Sequence, residues 1–234
     1  MPPAPSIPPI CQPEPTPPPH SPGSDDSQSN STPKRLLFLS DSIHLAFPTD
    51  IFEHPDKLVC IKKQLFQLNK LDEYEKEFAY SDYVFISSGI NDFSRYSWQE
   101  SELFECIRAK LNRYRVKYPD TIFIFNSLLT TNCGDWLNIK VNQLNHDMFK
   151  LSLNSRYENL WFFDSHHIAL KLNMSSNIYI IDDTRNGVHI THRAKREIWR
   201  VFCRCVNGRY DGDDISNVWP LREAFRRFAS RARR

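Results

Sequence analysis

This sequence predicts an α/β fold: a doubly wound parallel sheet of about five strands with helices on both faces. Two observations carry that prediction. Five short runs are apolar at consecutive positions, as strands buried on both faces must be. Between them lie stretches in which apolar residues recur every three or four positions, the period of a helix with one buried side.

Taken in chain order, residues 1–33 come first and hold twelve of the sixteen prolines, with a Gly/Ser/Asp/Asn stretch from Ser21 to Thr32. Such a composition buries too little apolar surface to offset the entropy of ordering, so a disordered or polyproline-like tail is expected. A plain linker is the favoured reading, although polyproline II segments also dock into SH3- or WW-type grooves. The expected strands follow: Leu36–Ser40, Leu58–Ile61, Tyr83–Ser87, Thr121–Phe125 and Leu160–Asp164. Leu103, Ile107, Leu111 and Tyr114 mark one core-facing helix, and Leu137, Val141, Leu144, Met148 and Leu151 another. Ile198, Val201, Phe202 and Cys205 mark the buried stripe of a last helix. Thr130–Asp135 and Ala169–Asn177 read as loops. In a sheet of this type ligands sit at the carboxyl ends of the strands.

Composition narrows the class further. With 234 residues, 40% hydrophobic and 25% charged, the chain fits one globular domain, 34–206, with flexible ends: the tail 1–33 and a basic extension 207–234. No run of about 18 apolar residues occurs, so no transmembrane segment is expected. The start, Met1-Pro-Pro-Ala-Pro, lacks a basic region followed by an apolar one, so a cytoplasmic or nuclear location is expected over secretion. The six cysteines are scattered, and Cys203-x-Cys205 lacks the gap of a redox or zinc knuckle. They read as structural thiols, with no metal and no cofactor implied.

Three polar motifs follow apolar runs. Ser40-Asp41-Ser42 closes the first strand, where a serine hydroxyl near helix amides suits a nucleophile; an ordinary helix cap gives the same residues. Ser88-Gly89-Ile90-Asn91-Asp92 closes the third. There the Asn91 carboxamide can donate to developing negative charge, although Gly and Asn also favour a plain tight turn. The third motif, Asp182 to His192, precedes the last helix and brings His189 in from a loop, as a general base would enter.

Together these motifs resemble the SGNH (GDSL-like) hydrolases, whose blocks read Gly-Asp-Ser, Gly-x-Asn-Asp and Asp-x-x-His. Here they stand as Ser40-Asp41-Ser42, Gly89-Ile90-Asn91-Asp92 and Asn186-Gly187-Val188-His189. The middle block is intact. More loosely, Phe38–Ser42 and the run LWFFDSH around Trp161 resemble SGNH-type domains of invertebrate retroelement-like reading frames. The resemblance implies a flavodoxin-like sheet order and hydrolysis of a small acyl ester through a serine acyl-enzyme. By it Ser42 is the nucleophile, His189 its base and Asn186 the partner of the histidine, while Asn91 in the Gly89 turn donates to the oxyanion beside the Ser42 amide. Two departures matter. No glycine lies between Ser42 and Gly89 to supply the family's further oxyanion amide, which leaves a non-glycine amide near Gln64 or Leu65 as the expected substitute. Asn186 stands where the family has aspartate, a replacement that costs a serine triad about 10⁴-fold in turnover; Asp182 or Asp183 is an alternative acid.

Beyond Thr191 the chain carries twelve Lys/Arg against five acids, nearly all of the cations arginine. Leu221, Phe225 and Phe228 fall on one face of a basic amphipathic helix there, which packs on its own domain or contacts nucleic acid or an acidic membrane. The second functional reading follows from this end. It is a catalytically weak SGNH-like binding module that contacts nucleic acid through Arg222, Arg226, Arg227 and Arg231. Oligomeric state is not legible.

Overall fold

The computed structural model describes residues 32–41, 58–176 and 190–206, with the side chains of 171–176 and 204–206 excepted. The Pro-rich stretch up to Ser31 and the extension 207–234 therefore lie outside the described residues. Five strands form one sheet: β1 (Lys34–Ser40), β2 (Leu58–Gln64), β3 (Tyr83–Ser87), β4 (Ile122–Asn126) and β5 (Leu160–Phe163). Their order is β2-β1-β3-β4-β5 and every neighbouring pair is parallel. The expected doubly wound sheet is thus present, with its carboxyl ends on one edge.

The helices are α1 (Glu75–Phe78), α2 (Ile90–Ser94), α3 (Glu100–Lys117), α4 (Asp135–Leu153), α5 (Ser165–Ser176) and α6 (His192–Val206). Alternation along the strands assigns them to faces, because successive side chains in a strand point to opposite sides. On one face Phe123 meets Phe78 of α1 and Tyr114 of α3, and Phe162 meets Phe149 of α4. On the other, Phe38 meets Trp199 and both Phe85 and Phe163 meet Phe202, all on α6. The residues expected to face the core from α3 and α4 are all buried.

Three expectations need correction. β2 is not buried on both faces: Val59 and Ile61 are 44% and 40% exposed. An apolar run does not disclose which strand ends up at the sheet's edge, and β2 pairs only with β1. Residues 169–176, expected as loop, belong to α5, whose start is fixed by Asp164 accepting from the His167 amide (3.0 Å). On α6 the buried stripe is Ala194, Lys195, Ile198, Trp199, Phe202 and Cys203, with Val201 only partly covered. That stripe is rotated from the expected one because the aromatic side chains of the sheet select Trp199.

Candidate active site

Polar side chains gather where the strands end. Ser40 and Asp41 at the tip of β1, Ser87 and Ser88 at the tip of β3, and Asn126 and Ser127 at the tip of β4 are all buried. The Asp41 amide donates to the Ser87 carbonyl (3.2 Å), and the Leu65 amide to the Ser40 carbonyl (2.8 Å). Asn126 Nδ2 donates to Ser87 Oγ (2.8 Å), while its own Oδ1 is buried with no donor among the described residues. An apolar sheet needs no such floor. Buried polar groups of this kind are costly unless hydrogen-bonded, and they concentrate where a sheet of this class binds ligands.

The run 88–92, expected as a polar turn, instead carries β3 through Gly89 into α2. Gly89 has φ +146°, and a Cβ built on it would stand 2.8 Å from Leu128 Cδ1, so the run needs glycine on both counts. From this run three side chains reach the segment that follows β2. Ser88 Oγ donates to the Leu65 carbonyl (2.8 Å) and Asn91 Nδ2 to the Phe66 carbonyl (3.1 Å). Asp92, fully buried, accepts from the amides of Leu68 (2.8 Å) and Asn69 (3.4 Å) and so caps the 3₁₀ turn Leu68–Tyr74, whose own N-cap residue Gln67 offers no side-chain bond. Burial pushes the Asp92 carboxyl up to about 6, against the pull of those two amides.

Of the residues named from sequence, Gly89 and Asn91 stand at the carboxyl edge beside the tip of β1. Ser42, Asn186 and His189 lie outside the described residues, as do Arg222, Arg226, Arg227 and Arg231. Their chain neighbours are described: Asp41, which precedes Ser42, is buried against β3, and Ile190, which follows His189, is buried ahead of α6. Of the donors expected near Gln64 or Leu65, the Leu65 amide itself is spent on Ser40. Ser88 and Asp92 were not singled out from sequence, although Asp92 belongs to the Gly-x-Asn-Asp block.

A second Asp-x-x-His spacing, Asp164 to His167, follows β5. Its carboxylate Oδ1 receives the His167 amide and the Ser127 hydroxyl (3.1 Å), and among the described residues it bonds no imidazole. The neighbouring His166 is held below its ordinary range by burial, against the opposing effect of Asp164. Among the described residues no cluster of His, Cys, Asp and Glu has the arrangement of a metal site. No described helix is long and apolar enough to cross a membrane.

No family model and no curated protein matches the chain. Solved structures do. A lipase/acylhydrolase from Enterococcus faecalis is 14% identical, with a TM-score of 0.57 over 75% of this chain and 96% of that one. The chain has the SGNH-type hydrolase fold. A carbohydrate esterase family 3 protein from Talaromyces cellulolyticus shares that fold at 12% identity, covering 73% of this chain and 94% of its own with a TM-score of 0.56. So does the C-terminal catalytic domain of peptidoglycan O-acetyltransferase A from Streptococcus pneumoniae, at 11% identity, 74% and 92% coverage and a TM-score of 0.53. At these identities the likeness concerns the SGNH-type fold alone.

Proposed function

We propose that residues 34–206 form a serine esterase that hydrolyses a small acyl ester through Ser42 and His189. Ser42 Oγ attacks the acyl carbonyl while His189 takes its proton. The tetrahedral oxyanion is stabilised by the Ser42 amide and Asn91; collapse then expels the alcohol, protonated by His189, and water repeats the sequence on the acyl-enzyme. The observation that carries this reading is the setting of Asn91. Its carboxamide has two N–H groups, and the bond to the Phe66 carbonyl uses one. The other remains for an oxyanion, with the group already oriented beside the tip of β1. Asn186 in the aspartate position makes the enzyme slow, since an amide does not offset the imidazolium charge. Cys60 and Cys106 are thiols, which fits a reducing cytoplasmic or nuclear setting.

The test is labelling by a fluorophosphonate probe and turnover of p-nitrophenyl acetate by the full chain. Labelling and turnover that both disappear in Ser42→Ala are expected. Turnover unchanged by that substitution sinks the assignment.

One observation favours a second role for the same chain, a nucleic-acid contact through residues 207–234. The formal charge of the whole is only +2, yet from Arg222 to Arg234 six arginines face a single acid, Glu223. Arginine pairs with phosphate bidentately and stacks on bases, so a concentrated excess of it suits a nucleic-acid backbone.

A further inference from the structure

The run 88–92, from the end of β3 into α2, holds the segment 65–69 with two donors and one acceptor. Ser88 and Asn91 donate to the carbonyls of Leu65 and Phe66; Asp92 accepts from the amides of Leu68 and Asn69. Between the two sets of bonds the Phe66 amide has no acceptor among the described residues. A trans peptide points its C=O and N–H in opposite directions. Anchoring the Leu65 carbonyl on the fully buried Ser88 hydroxyl therefore turns the Phe66 N–H away from Ser88, while Phe66 itself is half exposed. Resting on the esterase reading, we infer that Asp92 is a positioning residue: by holding Leu68 and Asn69 it keeps the Leu65–Phe66 peptide set, with the Phe66 amide as the oxyanion donor that no glycine supplies here.

The roles within the run differ. Ser88 and Asn91 each make one neutral hydrogen bond to this segment, whereas the Asp92 carboxylate takes two amides at its far end, and charge-assisted bonds are the stronger ones. Without Asp92 the amides of Leu68 and Asn69 are left with no acceptor among the described residues, and the segment must move toward water to satisfy them. The donor is a backbone group, so the Phe66 side chain is not its source.

The experiment uses the full chain with Asp92→Ala and Asp92→Asn, read by p-nitrophenyl acetate kinetics and by amide hydrogen exchange of residues 66–69. Asp92→Ala is expected to lower kcat about 10²-fold, the scale of losing one oxyanion donor. KM should stay unchanged, and exchange should quicken in that segment while the strands keep wild-type protection. Asp92→Asn retains one acceptor oxygen and should recover part of kcat. Should the alanine variant not fold, Asp92→Asn alone decides: lowered kcat with faster exchange at 66–69 upholds the role. A wild-type kcat, or a lowered kcat with wild-type exchange, overturns it. Absence of Ser42-dependent turnover in the wild type refutes the esterase reading itself. Its presence with an unaffected Asp92→Asn refutes the positioning role alone.

Discussion

Gly89 combines a backbone angle that L side chains rarely adopt with a neighbour, Leu128, that leaves no room for a methyl group. Gly89→Ala should destabilise the protein by about 1–3 kcal/mol, the range for strain of this kind, measurable as a lowered urea midpoint. Asn91→Ala should lower kcat about 10²- to 10³-fold with little change in KM, because its donor acts on charge that exists only in the transition state. For Asp92 the sign follows from its raised carboxyl, at about 6 in the fold against an ordinary 3.8. Its contribution to stability is fully present below about pH 4 and is lost as pH rises through 6, a difference of about 3 kcal/mol for a shift of this size. Unfolding midpoints compared at pH 4.5 and 7 should therefore fall more with rising pH in the wild type than in Asp92→Asn. Parallel pH dependences in the two proteins would show that Asp92 does not titrate in this window.

At the scale of elements, α6 packs across one face of the sheet through aromatic contacts: Trp199 to Phe38, and Phe202 to Phe85 and Phe163. Because Ile190 and the start of α6 directly follow His189, this packing also fixes the chain immediately after His189. Phe202→Ala should cost about 3–5 kcal/mol, the range for truncating a buried aromatic, seen as a lowered thermal midpoint. On the opposite face, polar ties supplement the core. Asp72 in the 3₁₀ turn bonds Lys110, Arg113 and Tyr114 of α3, and Glu75 takes Lys117 and Tyr118. The Asp72 carboxyl is held below its ordinary range by these partners, against the opposing effect of burial. Its side chain is well exposed, so each such pair contributes only ~1 kcal/mol or less.

For the molecule as a whole, the SGNH-type fold brings the tips of β1, β3 and β4 to one edge, which is what sets Asn91 beside the end of β1. The arginine-rich end is a separate matter and has its own test. Replacing Arg222, Arg226, Arg227 and Arg231 together by Ala should weaken binding to single-stranded nucleic acid and flatten its salt dependence, by about 0.7 in log–log slope for each phosphate no longer neutralised. Ester turnover should be untouched. Binding of equal strength and salt dependence in the substituted protein would remove the nucleic-acid role.

Local sequence was enough for the strands, the helices α3 and α4 and the need for glycine at Gly89, because each is written in local periodicity or in one residue's backbone requirement; that Ile90–Ser94 forms the helix α2 was not legible. Only the packed chain shows that β2 is the edge strand, that Trp199 outranks Val201 on α6, and that residues 169–176 are helical. These depend on neighbours distant in sequence: a strand's lateral place, an aromatic partner on the sheet, a capping carboxylate. The grip of Asp92 on Leu68 and Asn69 is of the same sort, since a bond across 24 residues leaves no periodic trace. The motif puts Asp92 next to Asn91; the fold supplies what its carboxylate holds.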